Sequence, residues 1–238
     1  MSTKTVYWAP WVVQEDNVQN WNMMFIEPEK LINKVIKYLP NLNGERMKAS
    51  LRCPAFTNLA RNTYYVKNPI ETELTIENGQ INIISKNANV TQFGKEGSTD
   101  TIIYGNYYIF FCEEDLEILL TSPHFSETNY TEHGLLVPGK FNISKWFRPV
   151  TLEMLLVKNQ NYFKMQENET MAYFTFLTDD KVELKRFNLN ETLKKISSTC
   201  ATASYWWKNV PLIKRYDRFI KTKTNRLVMS EIQKELVV

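Results

Sequence analysis

Apolar positions along the chain change period twice. Between Pro28 and Tyr38 the residues Leu31, Ile32, Val35, Ile36 and, just beyond, Leu39 recur at helical spacing, which predicts one amphipathic helix. Pro28 fits its start, Glu27 and Glu29 suit the positive end of the helix, and Pro40 stops it. Ahead of it, Tyr7 to Trp21 holds three tryptophans together with Pro10 and Asn17, and reads as an extended arm packing its rings on the main body.

From about Ala49 the period becomes two. Ile70, Thr72, Leu74 and Ile76 share one face and Glu71, Glu73, Thr75 and Glu77 the other, and Ile81 and Ile83 resume the alternation after Asn78-Gly79. Asn-Gly between alternating runs is a strong hairpin signal, because both residues tolerate positive φ. Asn87 to Asp100 is polar and reads as a loop, and Thr101 to Cys112 as an apolar strand buried on both faces. A short strand at Glu117 to Leu120 and a loop at Ser122 to Gly134 follow. Further strands are expected at Leu135–Val137, Val150–Lys158, Met171–Thr178 and Val182–Phe187. Glu167-Asn168-Glu169 and Asp179-Asp180 read as hairpin turns.

Helical spacing returns from Glu191 to about Ser204, capped by Asn190 with Leu193, Ile196 and Cys200 inward, and again from Pro211, where Leu212, Tyr216, Phe219 and Ile220 share a face. Val228, Ile232 and Leu236 fall on roughly the opposite side of a straight helix. Either the chain breaks near Thr222-Lys223-Thr224-Asn225, or the last turns face a partner or a second copy of the chain. The pattern predicts a mainly β (α+β) fold with an antiparallel β-sandwich or jelly-roll-like core, an N-terminal helix and C-terminal helices. Residues 1–188 form the aromatic-rich domain, and 189–238 a basic helical segment packed on it.

Composition sharpens this picture in two respects. Aromatic residues make up 13% of the 238 residues while there are only 7 glycines, so large rings supply much of the core. The net charge of +3 conceals an uneven distribution: 13 Lys/Arg against 5 Asp/Glu from Lys181 onward, and 16 against 21 before it. A basic end is a footprint of an anionic partner or simply a solvated helix face. Cys53, Cys112 and Cys200 are odd in number and lack metal-ligand spacing, as expected of reduced thiols in a cytosolic compartment. The first residues do not read as a signal peptide, and no stretch is long and apolar enough for a membrane span.

The catalytic inventory is thin. Gly-x-Ser-x-Gly, Gly-x-Gly-x-x-Gly and P-loop patterns are all absent. His124 and His133, the only histidines, lie with Glu127 in one loop, and two His with a carboxylate could form a facial metal triad. Their spacing matches no metal motif, and no cofactor is implied. Trp206 and Trp207 precede Lys214, Arg215, Arg218 and Lys221, the mixture of aromatic and basic residues with which single-stranded nucleic acid is held. Trp146 and Arg148, with the turn at Pro138-Gly139, could line a shallow pocket offering a cation to an anionic ligand.

Tyr7-Trp8-Ala9-Pro10, Cys53-Pro54-Ala55, Pro138-Gly139, Trp146-Phe147-Arg148-Pro149 and Leu184-Lys185-Arg186-Phe187, with the basic helical end, resemble uncharacterised proteins of marine T4-like phages, especially cyanophages. That resemblance implies an origin, with a place in the infected cell's cytoplasm or in the virion, and carries no activity. A weaker likeness over Gly134 to Thr178 is to the β-clip barrel of dUTPase-like enzymes, whose catalytic aspartate and serine-containing phosphate motifs find no matching positions here. The expected function is binding or a minor structural role, with a protein partner or self-association through the C-terminal helix. The alternatives are an enzyme on a cupin-like or β-clip scaffold using His124, His133 or Arg148, and a nucleic-acid accessory protein.

Overall fold

A computed structural model describes residues 2–11, 26–38, 49, 51–77, 80–85, 90–93, 101–126, 128–157, 161–206 and 210–237. In chain order the elements begin with β1 (Thr3–Trp11), β2 (Glu29–Lys30), α1 (Leu31–Tyr38), α2 (Pro54–Arg61), β3 (Thr63–Lys67), β4 (Thr72–Glu77) and β5 (Gln80–Ile83). Next come β6 (Val90–Phe93), β7 (Thr101–Phe111), β8 (Glu117–Thr121), a 3-10 turn (Asn129–Glu132), β9 (Gly134–Leu136), β10 (Gly139–Asn142) and β11 (Pro149–Leu156). The chain continues through β12 (Tyr162–Met165), β13 (Thr170–Phe176), β14 (Lys181–Arg186), α3 (Glu191–Trp206), α4 (Leu212–Lys221) and α5 (Thr224–Lys234). The fold is mainly β with several antiparallel sheets and, among the described residues, five helices.

The first sheet runs β14-β1-β7-β11-β9, with β6 also paired to β7, and the second runs β10-β8-β13-β3-β2. Strict alternation gives every strand two faces, and in the central strands β1, β3, β7 and β13 both are buried. Val6, Trp8, Tyr108 and Phe110 from the first sheet share one core with Tyr64, Val66, Phe174 and Phe176 from the second. Edge-on ring contacts knit that core: Phe110 lies 4.9 Å from Phe174 and 5.8 Å from Phe176 between centroids. Each such pair adds about 1 kcal/mol beyond the area it buries. Residues one position along point the other way. Tyr7, Ala9, Ile109 and Phe111 meet Leu193, Phe219, Val228 and Ile232 from the C-terminal helices, while Tyr65 and Tyr173 meet Leu31, Val35 and Ala60 from α1 and α2. The order of layers is therefore helices, sheet, sheet, helices. A third sheet, β12-β4-β5, adds Leu74, Phe163 and Met165 to the main core.

Several expectations need correction. The described part of the opening segment is no arm: β1 lies inside the first sheet, parallel to β14 and antiparallel to β7. Its rings alternate between two cores, and Pro10 sits beyond the last β14 partner, Trp8, where a missing N–H breaks no ladder. The parallel pair departs from an all-antiparallel jelly roll. The stretch read as a loop contains β6, paired along Val90–Phe93 to β7. The predicted helix begins at Leu31, because Glu29 and Lys30 pair with Tyr65 and Tyr64, and Ile36 is exposed. Leu39 and the Asn78-Gly79 turn lie outside the described residues, although β4 and β5 pair as the turn requires.

Two expected hairpins are instead corners between sheets. β12 pairs with β4, whereas β13 pairs with β3 and β8; β14 then crosses to β1. Buried asparagines hold both corners. Asn68 donates from Nδ2 to the Met165 and Gln166 carbonyls, and its backbone bonds Asn168 and Glu169, around the left-handed Asn168 at φ 64°. Asn62 donates to the Thr178 and Asp180 carbonyls and accepts from the Val182 N–H, at 2.8, 2.8 and 3.2 Å.

The C-terminal break occurs as one alternative expected. Lys223 turns left-handed at φ 57°, its N–H and that of Thr222 close onto α4 carbonyls, and α5 sets off in a new direction. Val228 and Ile232 then reach the same core as Phe219, so their stripe is covered by the protein's own sheet and gives no motive for a partner there.

Asn62→Ala strips three hydrogen bonds from a buried corner and should cost about 3 kcal/mol in urea unfolding; a loss below about 1 kcal/mol would show that the corner holds itself.

Candidate functional site

The site begins at a turn. Asn142 at the end of β10 accepts three hydrogen bonds on Oδ1, from the Ser144 N–H, the Ser144 hydroxyl and the Lys145 N–H, at 3.1, 2.8 and 3.1 Å. Such a side-chain turn redirects the chain without help from glycine. Asn142 Nδ2 and Lys145 Nζ both reach Asp115, at 2.6 and 2.7 Å, and those two bonds hold the Asp115 carboxyl below its usual pKa. The turn delivers Phe147 into the helix-side core, edge-on to Phe111 at 5.9 Å, and leaves Trp146 half-buried at its margin.

Trp146 leans on α4, 6.1 Å from Tyr216 and 6.3 Å from Phe219 between ring centroids. It forms one wall of a cleft of about 400 Å³ among the three C-terminal helices. On α4 and its C-cap Thr222, Arg215, Arg218, Phe219 and Thr222 recur at spacings of three and four and so share a face; α3 presents Lys195 and Cys200 opposite, and α5 presents Leu227. The described lining carries three cations and no carboxylate. Asn190 caps α3 by accepting from the Leu193 N–H at 2.9 Å, and its Nδ2 ties α3 to Glu231 of α5 at 2.9 Å. Gln233 of α5 donates to the Tyr7 hydroxyl at 3.1 Å, so the cleft stands on the first sheet. Cys200 is buried in its wall, and that burial pushes its thiol up to about 11.

The structure thus joins Trp146 with Arg215 and Arg218, expected from the sequence to serve two different sites. Arg148 is not among the lining residues. Its guanidinium lies 6.0 Å from the centre of the Phe141 ring, and burial lowers its pKa. Pro138 is exposed, and Gly139 serves packing: a Cβ there would come 2.5 Å from Phe141 Cζ. Lys214 and Lys221 are exposed and do not line the cleft. Trp206 is the last residue of α3, with its side chain outside the described residues, and Trp207 lies outside them altogether.

The two histidines pack on different elements. His124 meets Tyr173 of β13 edge-on at 4.8 Å, and His133 meets Tyr162 of β12 at 5.3 Å. Glu127 lies outside the described residues, and among the described residues no group of three His, Cys, Asp or Glu could hold a metal ion. Among them, too, no helix is long and apolar enough to cross a membrane. Compared with known proteins, the chain matches no family model, no curated protein and no solved structure.

Sequence reading missed Lys195 and Leu227. The available signal was the recurrence of Lys195 and Thr199 on one helix and Arg215, Arg218 and Thr222 on the next, which becomes visible only once the two helices are known to face each other.

At about pH 8, iodoacetamide should alkylate exposed Cys53 first and leave Cys112 and Cys200 intact until denaturant is added, because burial keeps both thiols protonated. Modification of Cys200 as fast as Cys53, read by peptide mass mapping, would mean that the cleft wall is open.

Proposed function

We propose that the protein acts by binding, and that its ligand is an organic anion with an apolar or aromatic part held in the cleft among α3, α4 and α5. One observation carries this reading: Trp146 and Phe219 offer ring surface beside Lys195, Arg215 and Arg218 in one cleft. The arginines suit a carboxylate, sulfonate or phosphate, whose planar or branched oxygens match the guanidinium fork. The rings suit the rest of the molecule. The expected binding role on a β-sandwich scaffold is kept, and the expected ligand changes from a protein to an organic anion. It needs neither a cofactor nor the two histidines.

Anilinonaphthalene sulfonate, an aromatic sulfonate that brightens on leaving water, provides the test. We expect saturable one-to-one binding, with Arg215→Gln and Arg218→Gln each weakening it about tenfold, as loss of one charge-assisted contact implies. Leu227→Trp, made at a half-exposed position, should fill the cleft and abolish the signal. Unchanged affinity in all three variants, with folding checked by thermal melting, would refute the reading.

A further inference from the structure

On the opposite face of the molecule, α1 carries Lys34 beneath the loop that follows β8. Lys34 Nζ donates to the Ser126 hydroxyl at 2.7 Å and to the Thr170 hydroxyl at 3.3 Å, and it sits 5.2 Å from the centre of the Tyr65 ring. No carboxylate is among these partners. The nearby Glu29 accepts instead from Lys67 and from the Tyr65 hydroxyl, each at 2.6 Å. Burial, and then the neighbouring Lys67 ammonium, lower the Lys34 pKa against the pull of Glu29. An amine in such surroundings is the kind that enzymes use as a base.

Ser126 has a second partner. Its Oγ lies 2.9 Å from the Tyr173 hydroxyl, whose oxygen accepts the Phe125 N–H at 3.2 Å. Burial raises the Tyr173 pKa, so the phenol keeps its proton and stays a fixed hydrogen-bond partner of Ser126 Oγ, with either hydroxyl able to donate. Lys34 and Ser126 open together onto a cavity of about 470 Å³ whose other described lining residues are Tyr38, His124 and Phe125. The Tyr38 and Phe125 rings meet edge-on at 6.2 Å, and Phe56 backs Phe125 at 5.6 Å. A nucleophile within reach of a base, the base partly desolvated, a third group fixing the hydroxyl, and an apolar wall beside them are four of the parts that an acyl-transfer site needs.

We propose that Ser126 and Lys34 form a nucleophile–base pair that cleaves esters with an apolar acyl group. Neutral Lys34 takes the Ser126 hydroxyl proton as Oγ bonds to the ester carbonyl carbon. The bond from that carbon to the alkoxy group then breaks, and the departing oxygen takes the proton from Lys34. Water, deprotonated by Lys34, attacks the acyl-serine; the carboxylic acid leaves and Ser126 recovers its proton. Tyr173 is a positioning residue, and the Tyr38–Phe125 wall receives the acyl chain. This site is separate from the C-terminal cleft and uses none of its residues.

An alkyl fluorophosphonate reads the pair directly, since attack by Oγ forms a phosphorus–oxygen bond and expels fluoride. Treatment of the whole protein should give a single adduct that maps to Ser126 and disappears in Ser126→Ala. Lys34→Arg keeps the charge and the hydrogen bonds but supplies no base, and should slow the reaction about 100-fold or more. The rate should rise with pH through a midpoint below the value of about 10.4 for an ordinary lysine. Tyr173→Phe should lower the plateau rate and leave that midpoint in place. Absence of an adduct on Ser126 at about pH 9, below the ordinary lysine pKa, or a Lys34→Arg variant that reacts as fast as the parent, would overturn the proposal. Anilinonaphthalene sulfonate binding in the C-terminal cleft should be the same in every one of these variants.

Discussion

Asn62 and Asn68 bracket β3, and each uses its side-chain amide to hold a turn at one end of β13. The chain must leave the third sheet, cross the second as β13, and enter the first as β14. At each crossing a few peptide groups have no strand beside them, and such groups buried without partners cost a few kcal/mol apiece. An asparagine carries both a donor and an acceptor in one planar group, so it can replace a missing stretch of strand. Asn62 does this most fully, with three backbone partners. The packing of Phe174 and Phe176 against Phe110 follows from those fixed ends.

Because both faces of the central strands are apolar, two sheets alone would leave Tyr7, Ile109 and Phe111 on one side and Tyr65 and Tyr173 on the other open to water. The helices at either end of the chain are the covers that such a pattern demands. Covering a sheet with three helices leaves gaps where their axes diverge, and the cleft beside Trp146 is one of these. Its cations come from the helix faces that look across the gap. On the other cover, Lys34 is drawn inward by its place on α1 beside Leu31 and Val35, and the loop bearing Ser126 closes over it.

Much of the architecture was legible in the sequence. Period-two alternation located β4 and β5, a continuous apolar run located β7, short apolar runs between turns located β8, β11, β13 and β14, and the Asn190 cap and the change of face after Ile220 placed the C-terminal helices. What local pattern could not supply was partnership. The turn around Asn168 looks the same whether the strands on either side pair with each other or part to different sheets, and β1 resembles an arm until its two neighbours are known. Trp146, Arg215 and Arg218 were visible as separate signals, since helix packing alone unites them. Lys34 and Ser126 carried no signal: they lie 92 positions apart, and neither sits in a recognisable motif.

The pairing of β1 with β14 sets the order in which the molecule can come into being. Thr3 lies beside Lys181 and Trp8 beside Arg186 in the register, so the first strand must wait through the making of almost all the others before one of its edges is filled. On a ribosome, a chain stopped short of β14 would hold Val6, Trp8 and their neighbours in a sheet with an open edge, and its outer face would lack the three helices that shield it. Long-range closure of this kind is slow and exposes sticky intermediates. The segment from β14 through α5 thus acts as the clasp of the fold.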